Sequence, residues 1–145
     1  MPASSRIADY WRLRRRTLTA MLLLAYARVL VAAVPLRFWR DRLGFGGPSA
    51  DARHAGQEAR RLARHVERGA ARFPVRLKCL PRAVALSLLL RRARIAHGVV
   101  FAVRPRTHDD QGDRLHAWVE HDGAVLIGDL PGPWITILRL GDVSL

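Results

Sequence analysis

An α+β architecture, helices first and an antiparallel sheet after them, is expected from three features of this 145-residue chain. Up to about residue 94, apolar residues recur at three- and four-residue steps. Beyond Ala96 they fall into short runs parted by turn residues, the pattern of strands. One of those turns, Asp122-Gly123, is among the strongest hairpin signals, because a type I′ turn needs positive φ at both central positions. Helices and strands segregated along a chain in this way indicate an α+β domain. The length fits a single domain, 1–145, and a hydrophobic content of 50% is that of a globular chain.

Residues 6–34 read as one long helix, with a cationic start (Arg6, Arg12, Arg14, Arg15, Arg16) running into an apolar stretch over 18–34. Pro35 ends it, since proline disfavours the helical region for the residue before it. The apolar stretch is close to membrane-spanning length, and its cationic flank resembles that of a signal or anchor segment. Arg28 in its middle, at ~2.5–3.5 kcal/mol on insertion scales, argues against insertion, as do Thr17 and Thr19 at its border. No convincing small-residue cleavage site follows. A buried or interface-facing helix is expected, with no stable membrane insertion.

The Gly/Pro/Ser stretch over 44–49 is a loop. A second helix spans about 50–71, with Ala55, Ala59, Leu62, Ala63, Val66 and Ala70 on one face and five arginines on the other, most simply a solvated face. Phe73-Pro74 breaks it. The third helical run, 79–94, is packed with Leu, Ala and Val and is expected to be buried on most sides. Strands follow at 98–103, 115–121 and 124–129, with a polar Asp- and His-containing loop over 106–112. Pro131-Gly132-Pro133 turns the chain into a last edge strand over 134–140. There are no internal repeats.

A single cysteine excludes an intramolecular disulfide and thiolate-rich zinc sites. The six histidines show no paired metal-ligand spacing, so neither metal nor cofactor is expected. The net charge of +13 is uneven: residues 1–50 hold nine arginines against two acids, 51–94 twelve basic side chains against three acids, and 95–145 four against seven. Apart from Lys78 every basic residue is arginine, the residue of forked carboxylate and phosphate recognition, although a coding bias toward arginine gives the same composition. Such a basic surface suits acidic partners: nucleic acid, a membrane surface or an acidic peptide. A basic accessory protein without catalysis, docked on nucleic acid or an anionic membrane, is therefore the alternative to an enzyme. The lack of an aromatic-interleaved basic motif argues against dedicated nucleic-acid readout.

One set of residues points to a reaction. Cys79, His116 and Asp129 are, in that order, the parts of a cysteine nucleophile, its base and the base's orienter. If a helix starts at Cys79 or Leu80, Pro81 falls in its first turn, where a missing N–H costs nothing, and the thiol sits at the positive end of the helix dipole. With Asp122 and Gly123 as a two-residue loop, Val119 faces Leu126 and His116 faces Asp129, their Cβ atoms ~4.5–5.5 Å apart on one face of the hairpin. A three-residue loop would instead set Asp129 opposite Leu115, and a slip of register brings Asp122 forward as the carboxylate. Each residue also has a plain structural reading: a buried apolar cysteine, a half-buried strand histidine, a turn aspartate. Trp118 and Glu120 share the His116 face by alternation.

The segments Cys79-Leu80-Pro81-Arg82-Ala83, Gly98-Val99-Val100-Phe101, His116-Ala117-Trp118-Val119-Glu120 and Gly128-Asp129 together resemble the B2 proteins of lasso-peptide biosynthesis, which belong to the transglutaminase-like group of papain-type cysteine proteases. The likeness covers about 75–130, and the helical lead-in over 1–74 also suits that family. It implies a transglutaminase-like or papain-like core, with the nucleophile helix packed on the sheet, and a cytoplasmic leader peptidase acting on a ribosomally made lasso precursor peptide. It casts Cys79 as nucleophile, His116 as general base and acid, and Asp129 as orienting carboxylate. It further implies a separate leader-recognition protein (B1) and functional coupling to an ATP-dependent macrolactam synthetase (the C protein), with the basic helices as docking surface.

Overall fold

The apolar runs become helices gathered around one buried helix, and the β-rich runs become a sheet laid against it, in the computed structural model, which describes residues 3–106 and 114–141. Most of the expected 106–112 loop therefore lies outside the described residues. Helix α1 (Ala3–Ala33) buries a stripe at three- and four-residue steps, formed by Thr17, Ala20, Leu24 and Ala27. Its other side stays open: Leu18, Leu22 and Val29 are 53%, 72% and 65% exposed, so the apolar stretch is only partly enclosed. After Pro35, two short 3-10 turns bring Trp39 and Leu43 into the core, and the Trp39 indole N–H donates to the Val34 carbonyl at 2.9 Å.

Helix α2 spans Ala55–Ala71, starting later than its apolar spacing suggested because 51–54 form turns, where the Asp51 carboxylate accepts from His54 at 2.9 Å. Helix α3 (Cys79–Arg92) is the central one: Ala83, Val84, Ala85 and Leu86 are all fully buried, and the helix touches α1, α2 and the sheet. A buried polar relay ties it to the neighbouring chain. The Gly44 N–H donates to Ser87 Oγ at 2.9 Å, Ser87 donates to His97 Nε2 at 2.8 Å, and His97 Nδ1 donates to the Ile95 carbonyl at 2.8 Å. Every donor in this chain has an acceptor, which is what makes its burial tolerable.

Strands β1 (Gly98–Val103), β2 (Leu115–His121), β3 (Ala124–Ile127) and β4 (Ile135–Gly141) form one antiparallel sheet in the order β3-β2-β1-β4. The first three make a meander, and β4 returns to the free edge of β1 instead of extending it. Val99, Phe101, Ala117, Val119 and Ile127 join the helix core. His116 and Trp118 alternate with Ala117 and Val119 and so belong to the other face of β2.

The hairpin turn is the two-residue one, with φ of 48° at Asp122 and 75° at Gly123, and it pairs His121 with Ala124 and Glu120 with Val125 as expected. The register then departs from expectation. A bulge lets Val119 face Ile127 rather than Leu126, and β3 ends there. The inserted residue lets Ile127 take a buried place beside Val119. As a result, the direct ladder opposition of His116 and Asp129 does not form.

Candidate active site

Cys79 is the first residue of α3, preceded by an extended Lys78 with ψ of 173°. Helix N-termini leave their first N–H groups without intrahelical partners, and Pro81, third in the helix, has none to leave. The backbone N–H groups of Cys79 and Leu80 are thus available beside the sulfur. The thiol is free and half-buried, on a helix whose following turns are locked in the core.

Cys79 and His116 line the same two cavities, which adjoin along 76–79 and at Leu115 and His116. The larger, about 700 Å³, is walled by α1 through Arg28, Val31 and Ala32, by the residues leading into α3, and by Phe101. The smaller, about 590 Å³, runs past Glu67 and Arg82 to Asp129 and Trp134. All three sequence-predicted residues therefore meet in one cleft, Asp129 as an exposed member of its wall.

The imidazole of His116 is 4% exposed and tightly held. Its Nε2 lies 2.5 Å from the Gly128 carbonyl, not against the Asp129 carboxylate. A carbonyl oxygen only accepts, so Nε2 carries the proton and the neutral ring keeps its lone pair on Nδ1. The Trp134 ring stands 4.9 Å from the imidazole at a tilt of 32°, and Trp118 5.8 Å away at 36°. Trp134 is itself fixed: its indole donates to the Leu130 carbonyl at 3.1 Å, and the Arg104 guanidinium lies 4.6 Å over its ring. Trp118 donates to Glu120 at 2.7 Å, and Glu120 pairs with Arg139 of β4.

Gly128 supplies the carbonyl from a backbone with φ of 86°, where only glycine sits without strain. A Cβ there would come within 2.8 Å of the Ala117 carbonyl oxygen. Asp129 follows at once, its carboxylate one residue beyond the carbonyl that orients the ring. A family model described as the transglutaminase-like superfamily matches residues 20–136. The chain belongs to the transglutaminase-like superfamily. The match starts inside α1 and ends in β4, so in this transglutaminase-like fold the helices are as much part of the shared architecture as the sheet. The superfamily includes cysteine peptidases and acyltransferases. Neither a search of curated proteins nor one of solved structures finds a match.

Within this transglutaminase-like cleft the charges are divided. Arg28, Arg76, Lys78 and Arg114 line the larger cavity with no carboxylate among the described residues of its walls, whereas Glu67 and Asp129 join the smaller. Arg82 pairs with Glu67 at 3.4 Å between α3 and α2. The other described histidines are placed elsewhere: His97 in the Ser87 relay, His121 with Nδ1 2.6 Å from the Ala96 carbonyl, His54 at a turn and His65 between α1 and α2. Among the described residues no group of three or more His, Cys, Asp or Glu is placed to hold a metal ion. Three contributors had no clear sequence signal. The Gly128 carbonyl is silent in a sequence, Trp134 reads as part of a strand, and Arg28 reads only as an interruption of an apolar helix.

Proposed function

We propose that this transglutaminase-like protein is a cytoplasmic cysteine peptidase that removes the leader of a lasso precursor peptide by a Cys79–His116 mechanism with Asp129 in support. The observation that carries the reading is the shared cleft of Cys79 and His116, in which the Gly128 carbonyl holds Nε2–H and leaves Nδ1 as the base. In the proposed cycle Nδ1 takes the thiol proton and the sulfur attacks the scissile carbonyl carbon. The N–H groups at the start of α3 receive the oxyanion. Collapse breaks the C–N bond, and His116 returns the proton to the departing amine. Water, deprotonated by the same nitrogen, then cleaves the thioester and releases the leader with a free carboxylate. The Asp129 carboxylate, one residue past Gly128, offsets the positive charge on the imidazolium.

The finer assignment rests on the resemblance of the Cys79, His116 and Gly128-Asp129 segments to the lasso B2 proteins. It includes a separate recognition protein that brings the leader, docked on the basic helices, and an ATP-dependent macrolactam synthetase that uses the freed amine. Mass spectrometry of a co-incubated precursor, recognition protein and enzyme tests it. Wild type is expected to give a leader ending in a free acid, and Cys79→Ala to lower the rate by ~10⁴-fold or more with folding and partner binding intact. Full activity in that variant overturns the mechanism, and an amide-ended leader in the presence of added amine would assign acyl transfer instead of hydrolysis.

A further inference from the structure

A second concave site lies between α1 and α2, and no residue lining it lines the Cys79 cleft. It is a notch of about 360 Å³ on which five arginines converge, Arg12 and Arg16 from α1 and Arg61, Arg64 and Arg68 from α2, around His65. Arg16 and Arg28, the nearest α1 residue in the cleft, are twelve helical steps apart, or ~18 Å along the axis. Asp9 is the only carboxylate among the described residues of the notch wall. Of the five arginines, only Arg61 has a carboxylate partner among the described residues, Glu58 at 3.5 Å.

His65 gives an independent sign of a missing partner. The residue is 3% exposed, and its Nδ1 is buried without a hydrogen-bond partner. An orphaned buried polar atom is costly, and so is a cluster of five like charges beside two carboxylates. Both costs fall if an anion occupies the notch. We propose that the notch is a binding site for a phosphoryl anion, held by the guanidinium forks of Arg12, Arg16, Arg61, Arg64 and Arg68 over His65. Phosphoryl groups fit better than carboxylates because their charge sits on a compact tetrahedral centre, with oxygens spaced for bidentate arginine contacts. The source is either a free phosphate ester or the headgroup of an anionic lipid, and both share this chemistry.

His65 is also the reporter. Its pKa lies below the ordinary 6.5, first through burial and then through Arg16, Arg68 and Arg61, with Glu58 opposing. The charged groups around it are Asp9, Arg12, Arg16, Glu58, Arg61, Arg64 and Arg68. An anion among them offsets the positive field of the arginines, so binding raises the His65 pKa and tightens as pH falls.

The test follows the His65 imidazole by NMR, together with the melting temperature of the full chain, at constant ionic strength. Its probes are inorganic pyrophosphate, vesicles of phosphatidylcholine with or without phosphatidylglycerol, and an octaglutamate peptide. Pyrophosphate is expected to raise both readouts, and the response to fall at least fivefold in Arg16→Gln/Arg64→Gln. Arg60→Gln, an exposed charge on α2 outside the notch, should keep the full response. If the double variant does not fold, Arg64→Gln alone must still weaken the response. A response to phosphatidylglycerol vesicles without one to pyrophosphate supports the site and assigns the lipid source. A response to neither phosphoryl probe, an equal response in Arg16→Gln/Arg64→Gln, or a stronger response to octaglutamate overturns it.

Discussion

The imidazole of His116 has its proton placed by a backbone oxygen, and this sets apart the weights of the residues around it. A carbonyl fixes the tautomer without carrying full charge, so in the proposed mechanism Asp129 has the smaller task of offsetting the imidazolium. Asp129→Asn is accordingly expected to cost only ~10-fold in kcat, whereas His116→Ala removes the base and costs ~10²–10⁴-fold. Single-turnover leader cleavage at saturating substrate separates the two, and equal losses would return the orienting role to the carboxylate. Gly128→Ala tests the carbonyl itself. Its left-handed φ costs an alanine about 1–2 kcal/mol, and the contact with the Ala117 oxygen forces the segment away from the ring. Denaturant melts should show that loss of stability, and the pH–rate profile should change along with the rate.

At the scale of elements, the buried relay through Ser87 pins α3 to the 44–45 segment and to the start of β1. Ser87→Ala removes the buried acceptor of the Gly44 N–H, at about 1–3 kcal/mol, which urea unfolding would measure. The strands β1 and β2 and the start of α3 were legible from alternation, turn residues and the place of Pro81. The hairpin turn was legible for the same reason, because Asp122-Gly123 has few alternatives. The bulge was not. Leu126 and Ile127 are both apolar, and the choice of which one enters the core depends on packing against Val119 and the helices. The error of one residue mattered because it replaced a carboxylate by a carbonyl beside the base. The return of β4 to β1 was equally hidden, since local sequence specifies a strand but not its neighbour.

Across the whole molecule, the composition announced a basic protein but not where its arginines converge. The α2 arginines read as a solvated face, and they are exposed, yet three of them share a notch with α1. The encounter of 12–16 with 61–68 is tertiary, beyond the reach of either helix's own periodicity. His65 gives this a measurable consequence in anion-free buffer. Its folded pKa lies below 6.5, so the unfolded chain takes up a proton that the folded one refuses. The stability it contributes is complete above pH 6.5 and is lost as pH falls toward the folded value. His65→Gln should flatten that part of the stability–pH curve, read from denaturant midpoints across pH 5–7.5.

The segment from Gly128 to Trp134 is also the lead-in to β4, and this joins two properties that are usually separate. One short stretch of chain fixes the protonation state of the base, packs an indole against it and delivers the outermost strand to its place beside β1. The tautomer of His116 is in that sense a property of the sheet's margin rather than of the histidine. Fraying of β4 would let the Gly128 oxygen drift while the helices and the first three strands stayed intact, leaving a folded protein in which the proposed acceptor of the Cys79 proton is no longer oriented. In the proposed mechanism chemical competence is therefore seated in a peripheral part of the fold, and a ligand or partner that steadied or loosened that margin would govern turnover without touching Cys79.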